Sequence, residues 1–293
     1  MKKVVIAGGT GFIGSYLTKR FRENGYKVLI VSRGKKNISW KPLDLEDAVN
    51  EAELVINLSG KSINSKHTES NKIELLESRL DPTLWIGNAI QACDTPPKLW
   101  INASASGIYK PSTTHAMTED KYEIASGFLA ELVLQWEKAF FGFHLSETRQ
   151  VALRTSVVLG RDGGALKPLT RLTYFGLGGT QAEGTQMFSW IHIEDYFQIV
   201  LFMMRNPQLH GIFNCTSPTP VTNKKFMLML RKSLGVKVGI PAPKFAITWG
   251  AELIGTEPEL ILNSSYLAPK HLLDAGYKFS FPTLDKALEN IFK

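Results

Sequence analysis

Seven residues near the start of the chain, Gly8-Gly9-Thr10-Gly11-Phe12-Ile13-Gly14, have the spacing of a dinucleotide phosphate site. They follow a short apolar run, Val4–Ala7, and open a helical stretch. The chemistry needs that order. A glycine at 8 permits a tight turn, one at 11 lets a pyrophosphate approach the main chain, and one at 14 lets the helix pack closely. Around Thr10, Phe12 and Ile13 the helix start offers unpaired N–H groups and the positive end of a dipole to phosphate oxygens. A triphosphate-binding loop is excluded, because Ser15-Tyr16 stands where Lys-Ser/Thr is required.

The next apolar run, Val28–Val31, ends in Ser32-Arg33-Gly34-Lys35-Lys36. An NAD site places a carboxylate at this point for the ribose 2′-hydroxyl, whereas a 2′-phosphate needs a cation. Ser32 supplies a hydrogen bond, and Arg33 a planar group that stacks on adenine and clamps phosphate. The expectation is NADP(H), with a solvated basic loop as the alternative.

Other chemistries find little support. The six histidines form no HxxxH pair and the two cysteines no CxxC, so no metal site is expected. A Gly-x-Ser-x-Gly elbow is absent. Against 27 Asp+Glu stand 34 Lys+Arg, a net charge of +7, but the basic residues are scattered along the chain. That reads as dispersed surface charge, with no nucleic-acid partner. No apolar run reaches the roughly 18 residues of a membrane span. No secretory leader is visible after Met1-Lys2-Lys3. The expectation is a cytoplasmic protein without a membrane partner.

The elements that must position these residues alternate. Helical periodicity over Gly11–Asn24 follows the first run. Further strands are expected at Leu54–Leu58, Leu99–Ala103 and Val151–Leu159, with helices at Lys72–Ala92 (broken or kinked at Pro82) and Phe128–Phe141. Strands alternating with helices imply right-handed crossovers and a parallel sheet covered on both faces. The fold class is therefore α/β, a Rossmann-type doubly wound sheet. It spans about 1–160 and is completed by 186–215, with a small mixed substrate-side region at 161–185 and 216–293. In the second half Ser189–Ile193 and Glu194–Met204 read as a strand–helix pair, and Thr222 caps a helix over Asn223–Leu234.

Several segments together resemble one family. They include Gly8–Gly14, Val55-Ile56-Asn57-Leu58-Ser59-Gly60, Glu77-Ser78-Arg79, Leu153–Gly160, Phe188–Ile193 and Pro269–Tyr277. The chain resembles the extended, atypical short-chain dehydrogenases/reductases, in particular their epimerase-family branch, nearly end to end. The resemblance implies NADP(H) and a small-molecule substrate, with oxidoreductase or nucleotide-sugar-epimerase-like chemistry. It places Leu58 and Ser59, at the tip of the fourth strand, on the adenosine side. It makes Glu74 and Arg79 polar cofactor contacts, and it lays Val158, after the sixth strand, against the nicotinamide half. A plain surface carboxylate is the alternative for Glu74.

Catalysis in that superfamily rests on Tyr-x-x-x-Lys on a helix and a preceding Ser or Thr. Here Phe128, Leu132 and Ala105 hold those positions. Two readings follow: an enzyme with a relocated acid, or a protein that binds NADP(H) without turnover. Ser104, Tyr109 and His192 are the candidates for relocation, each with a structural alternative. Arg154 and Arg171 are read either as anion holders or as structural ion-pair partners. Oligomeric state is left open.

Overall fold

The computed structural model describes residues 1–254 and 257–293. Strand β1 (Lys3–Ala7) runs through the glycine turn into α1 (Phe12–Glu23). There follow β2 (Lys27–Val31), α2 (Pro42–Val49), β3 (Leu54–Asn57), α3 (Glu69–Ala92), β4 (Leu99–Ala105), α4 (Phe128–Phe141) and β5 (Arg149–Thr155). The second half holds β6 (Val157–Leu159), α5 (Leu166–Tyr174), β7 (Met187–Phe188), β8 (Trp190–His192), α6 (Ile193–Arg205) and β9 (Gly211–Cys215). It closes with β10 (Val221–Thr222), α7 (Asn223–Ser233), α8 (Lys244–Ile254), α9 (Glu259–Leu262), α10 (Lys270–Asp274) and α11 (Leu284–Phe292).

Six strands form one parallel sheet in the order β2-β1-β3-β4-β5-β9. Their apolar runs are continuous because both faces are covered. On one face Val4, Ile6, Ile56 and Leu153 pack with Leu17 and Phe21 of α1 and Phe197 of α6. On the other, Val5, Val55 and Trp100 pack with Leu45 of α2, Ile86 of α3 and Phe140 of α4. A smaller cluster joins Phe226 and Leu230 of α7 to Leu288 and Ile291 of α11. The doubly wound Rossmann-type sheet expected from the sequence is present.

Four details depart from expectation. The stretch 151–159 is two strands: the chain turns out of the sheet at Ser156, whose N–H and hydroxyl both donate to the Cys215 carbonyl at 3.2 Å. β6 then pairs with β8 instead. Helix α3 runs unbroken across Pro82, which lies on its buried face beside Thr83 and Ile86. Tertiary packing there outweighs the missing hydrogen bond. The strand that leads to Leu58 is the third of this chain, since α2 and a single bridge, Val31 to Ile38, occupy the interval. Finally, Gly14 makes room for the glycine turn itself: a Cβ there would overlap the Gly8 carbonyl oxygen and Gly9 Cα.

Candidate cofactor groove and substrate cavity

Parallel strands end together, and ligands bind outside their carboxyl ends. A groove of about 820 Å³ lies there, lined by Gly8, Thr10, Gly11, Ser32, Arg33, Leu58, Ser59 and Glu74. Gly8 adopts a positive φ of 75°, and a Cβ on it would meet the Leu58 carbonyl carbon and oxygen at 2.8 Å. The turn and the β3 tip are thus in contact. That tip is held by Asn57, whose amide donates to Asn102 Oδ1 at 2.8 Å and to Thr83 Oγ1 at 3.1 Å. Asn57 Oδ1 accepts the Ser59 N–H at 3.1 Å.

Helix bonding in α1 begins with Ser15 N–H to Gly11 O at 2.8 Å, so the N–H groups of Phe12, Ile13 and Gly14 fall in the first turn. The N-cap, Gly11, makes no side-chain cap. The Phe12 ring is turned away, under the Gly160–Gly164 loop, where added Cβ atoms would press on it. Ile13 packs against the main core. Of these two residues only the main-chain N–H groups are left open to the groove side of the turn.

Ser32 and Arg33 line one end of the groove, beyond the end of β2. Ser32 Oγ accepts from Gly34 N–H at 3.2 Å and Asn37 Nδ2 at 2.7 Å, and Arg33 stands exposed beside it. The carboxylates that line the groove come from α3: Glu74, Glu77 and Asp81. Glu74 is paired with Lys61 Nζ at 2.5 Å. Sequence reasoning missed Trp40 and Trp85, whose ring centroids are 5.5 Å apart where they line this groove. Trp40 follows an irregular stretch with no periodicity to mark it.

These residues fit a dinucleotide. The glycine turn leaves open space over Gly11, where an added Cβ would meet only Gly8 O at 3.5 Å. Ser59 Oγ is buried without a hydrogen-bond partner among the described residues. Leaving such a hydroxyl unpaired is costly, and a bound ligand removes that cost.

Arg79 does not line the groove. It lies between the groove and a second cavity, donating to Leu75 O at 2.9 Å and Lys61 O at 3.0 Å, with its guanidinium 5.4 Å from the Trp136 ring centre. Among the described residues it has no carboxylate partner, and burial pulls its pKa down to about 10. Val158 is buried in β6, while its neighbour Val157 reaches the second cavity.

That cavity, of about 1030 Å³, is lined by Ala105, Phe128 and Leu132. These three, which the resemblance sets at the superfamily's Ser, Tyr and Lys positions, belong to one apolar cluster with Val133 and Trp136. His67 packs edge-on to Phe128 at 5.4 Å, and Lys72 Nζ lies 5.8 Å from the Phe128 ring centre.

The proposed relocated acids are tied up. Ser104 Oγ donates to Glu137 Oε1 at 2.6 Å. Tyr109 Oη donates to Asn214 Oδ1 at 2.6 Å and accepts from Arg154 Nη1 at 3.0 Å. Burial pushes the Tyr109 phenol up to about 12, against the pull of Arg154. Arg154 itself pairs with Glu137, which is the structural reading of that residue. His192 lies outside both cavities: its Nδ1 accepts the Glu194 N–H at 3.1 Å, and burial lowers its pKa to about 4. Arg171 is exposed on α5, away from both.

Residues 4–215 match the NAD dependent epimerase/dehydratase family, and residues 242–291 match a domain of unknown function, DUF1731. The chain belongs to this epimerase/dehydratase family. An epimerase family protein from Mus musculus is 35% identical over 295 residues, covering 99% of each chain. One from Staphylococcus epidermidis is 30% identical over 301 residues and covers both chains fully. The crystal structure of the human epimerase family protein with NADPH superposes with a TM-score of 0.90 at 33% identity, covering 99% of this chain and 98% of that one. A UDP-glucose 4-epimerase from Thermus thermophilus, at 16% identity and a TM-score of 0.75, shares the fold.

Proposed function

We propose that the protein binds NADP(H) in the groove at the strand ends and acts as a reductase- or epimerase-like enzyme on a small molecule held in the adjoining cavity. The observation that carries this is one groove lined by the Gly8 turn, the β3 tip and the Ser32-Arg33 corner, with the turn touching the β3 tip and Gly8 N–H donating to Val31 O at 3.1 Å at the end of β2. The crystallised human relative with NADPH supports the choice of cofactor.

When bound, the dinucleotide supplies hydride transfer at its nicotinamide ring. This chain's residues do the rest. The first-turn N–H groups of α1 hold the pyrophosphate, and Arg33 with Ser32 binds the 2′-phosphate. Leu58 and Ser59 flank the adenosine, with Glu74 ordering that wall through Lys61. Arg79, which has no carboxylate partner among the described residues, presents its cation to an anionic group in the second cavity. Val158 backs the nicotinamide half. The cavity wall excludes water with Phe128, Leu129 and Leu132.

A second reading, cofactor binding without turnover as a sensor or scaffold, is favoured by that same wall, since neither Phe128 nor Leu132 titrates. The first experiment is a titration with NADPH and, separately, NADH, followed by tryptophan quenching. NADPH is expected to bind at least ten-fold tighter than NADH, with Arg33→Ala erasing the difference. Equal affinities in the parent protein refute the 2′-phosphate assignment. Substrate-dependent NADPH oxidation over a panel of aldehydes, ketones and nucleotide sugars then separates the enzyme from the sensor.

A further inference from the structure

The net charge of the chain is not spread over its surface. Segments 163–181 and 223–251 contain eight of the 34 Lys+Arg and none of the 27 Asp+Glu. The other residues hold 26 basic against 27 acidic side chains and are almost neutral. The two segments are stitched together in space. Ile240 N–H donates to Gly176 O at 2.8 Å, Ala242 N–H to Thr180 O at 2.9 Å, and Arg231 Nη1 to Gly178 O at 2.8 Å. A whole lobe, built from α5, α7, the 236–243 connection and α8, is thus cationic, with Glu252 near the end of α8 as its one acidic side chain.

The same lobe carries bare apolar side chains. Tyr174, Phe175, Val238, Ile240, Phe245 and Trp249 are each between 56% and 78% exposed. Phe175 flanks the Gly176 that receives the Ile240 bond, so the end of α5 and the 238–240 stretch share one surface. Phe245 and Trp249, one turn apart, line a shallow depression on α8 with Lys244, Thr248 and Glu252. Lys167, Arg171, Lys237 and Lys244 stand exposed among these groups.

We propose that this face seats the protein on an anionic lipid bilayer, with the aromatic and aliphatic tips entering the headgroup boundary and the lysines and arginines on lipid phosphates. Aromatic and aliphatic side chains set among eight cations, with Glu252 as the one carboxylate of these elements, suit that interface. No helix among the described residues is long and apolar enough to cross a membrane, so the attachment is peripheral. A second copy is a poorer occupant, because a two-fold dimer through this face would set two strongly cationic lobes against each other. A nucleic acid would use the cations and leave the apolar tips in water. The expected absence of a membrane partner rested on the lack of a spanning apolar run; a peripheral surface needs no such run, and folding has gathered on this face charge that is dispersed along the sequence.

The test is flotation of the full-length protein with vesicles of phosphatidylcholine alone or containing one-third phosphatidylglycerol. Partition onto the anionic vesicles is expected to exceed that onto neutral ones at least ten-fold and to fall as salt is raised. Phe175→Ser with Trp249→Ser is expected to lower it ten-fold or more. Lys237→Glu with Lys244→Glu is expected to lower it by roughly five-fold for each charge lost. Both double variants should keep the thermal midpoint and the NADPH affinity of the parent. Equal or absent partition on the two vesicle types overturns the proposal, as does partition that survives both double variants. So does a dimer that Phe175→Ser with Trp249→Ser dissolves, or a DNA gel shift that Lys237→Glu with Lys244→Glu abolishes, without vesicle binding.

Discussion

Arg154 and Glu137 form a two-point ion pair inside the molecule, Nε to Oε1 at 2.8 Å and Nη2 to Oε2 at 2.7 Å. Ser104 and Tyr109 are bonded to the same pair. Truncating one partner leaves the other charge buried and uncompensated. Glu137→Ala is expected to destabilise the fold by about 3–5 kcal/mol. Urea unfolding measures this, and the NADPH affinity of the folded protein should not change.

Tyr109→Phe removes the bonds to Asn214 and Arg154 but keeps the ring. A loss of about 1–3 kcal/mol is expected, with unchanged NADPH affinity and, for any substrate found, retained turnover. Full stability with abolished turnover would instead make Tyr109 the proton donor.

A methyl group on residue 14 has nowhere to go, because main-chain atoms of Gly8 and Gly9 occupy its place. Gly14→Ala should push the turn out of register with the β3 tip. The expected result is at least a ten-fold loss of NADPH affinity by tryptophan quenching. Wild-type affinity in the variant would show that the turn does not position the phosphates.

Two histidines give the stability opposite pH slopes. Burial lowers the His192 pKa to about 4, so the unfolded chain binds its proton first. Its contribution is complete above about 6.5, the ordinary histidine value, and is lost as pH falls toward 4. The size is on the order of 3 kcal/mol. For His271, burial works downward but is overcome by the Ile212 carbonyl at 2.9 Å and the Asp120 carboxylate at 2.7 Å, so its pKa is raised. That contribution is complete below about 6.5 and fades as pH rises through the raised value. Thermal melts of His192→Asn should lose the drop in stability between pH 6.5 and 4, and melts of His271→Gln the decline above pH 6.5.

The sequence by itself determined the sheet and the phosphate turn. Both rest on local rules, namely continuous apolar runs for strands buried on two faces and glycines where a side chain cannot fit. The Ser32-Arg33 corner was legible for the same reason, since it lies at the end of a strand whose position the pattern shows. Only the tertiary structure decided the rest. The turn of the chain at Ser156 depends on Cys215, 59 residues away. The inward commitment of Tyr109 depends on Asn214, 105 residues away. Ala105, Phe128 and Leu132 become one apolar wall only where a strand end meets a helix start. Lysines and arginines that look scattered along the chain become a single cationic lobe because α5, α7 and the 236–243 connection are drawn together by Arg231 and main-chain bonds. Charge and reactivity at a surface are set by which segments become neighbours, and linear spacing holds no record of that.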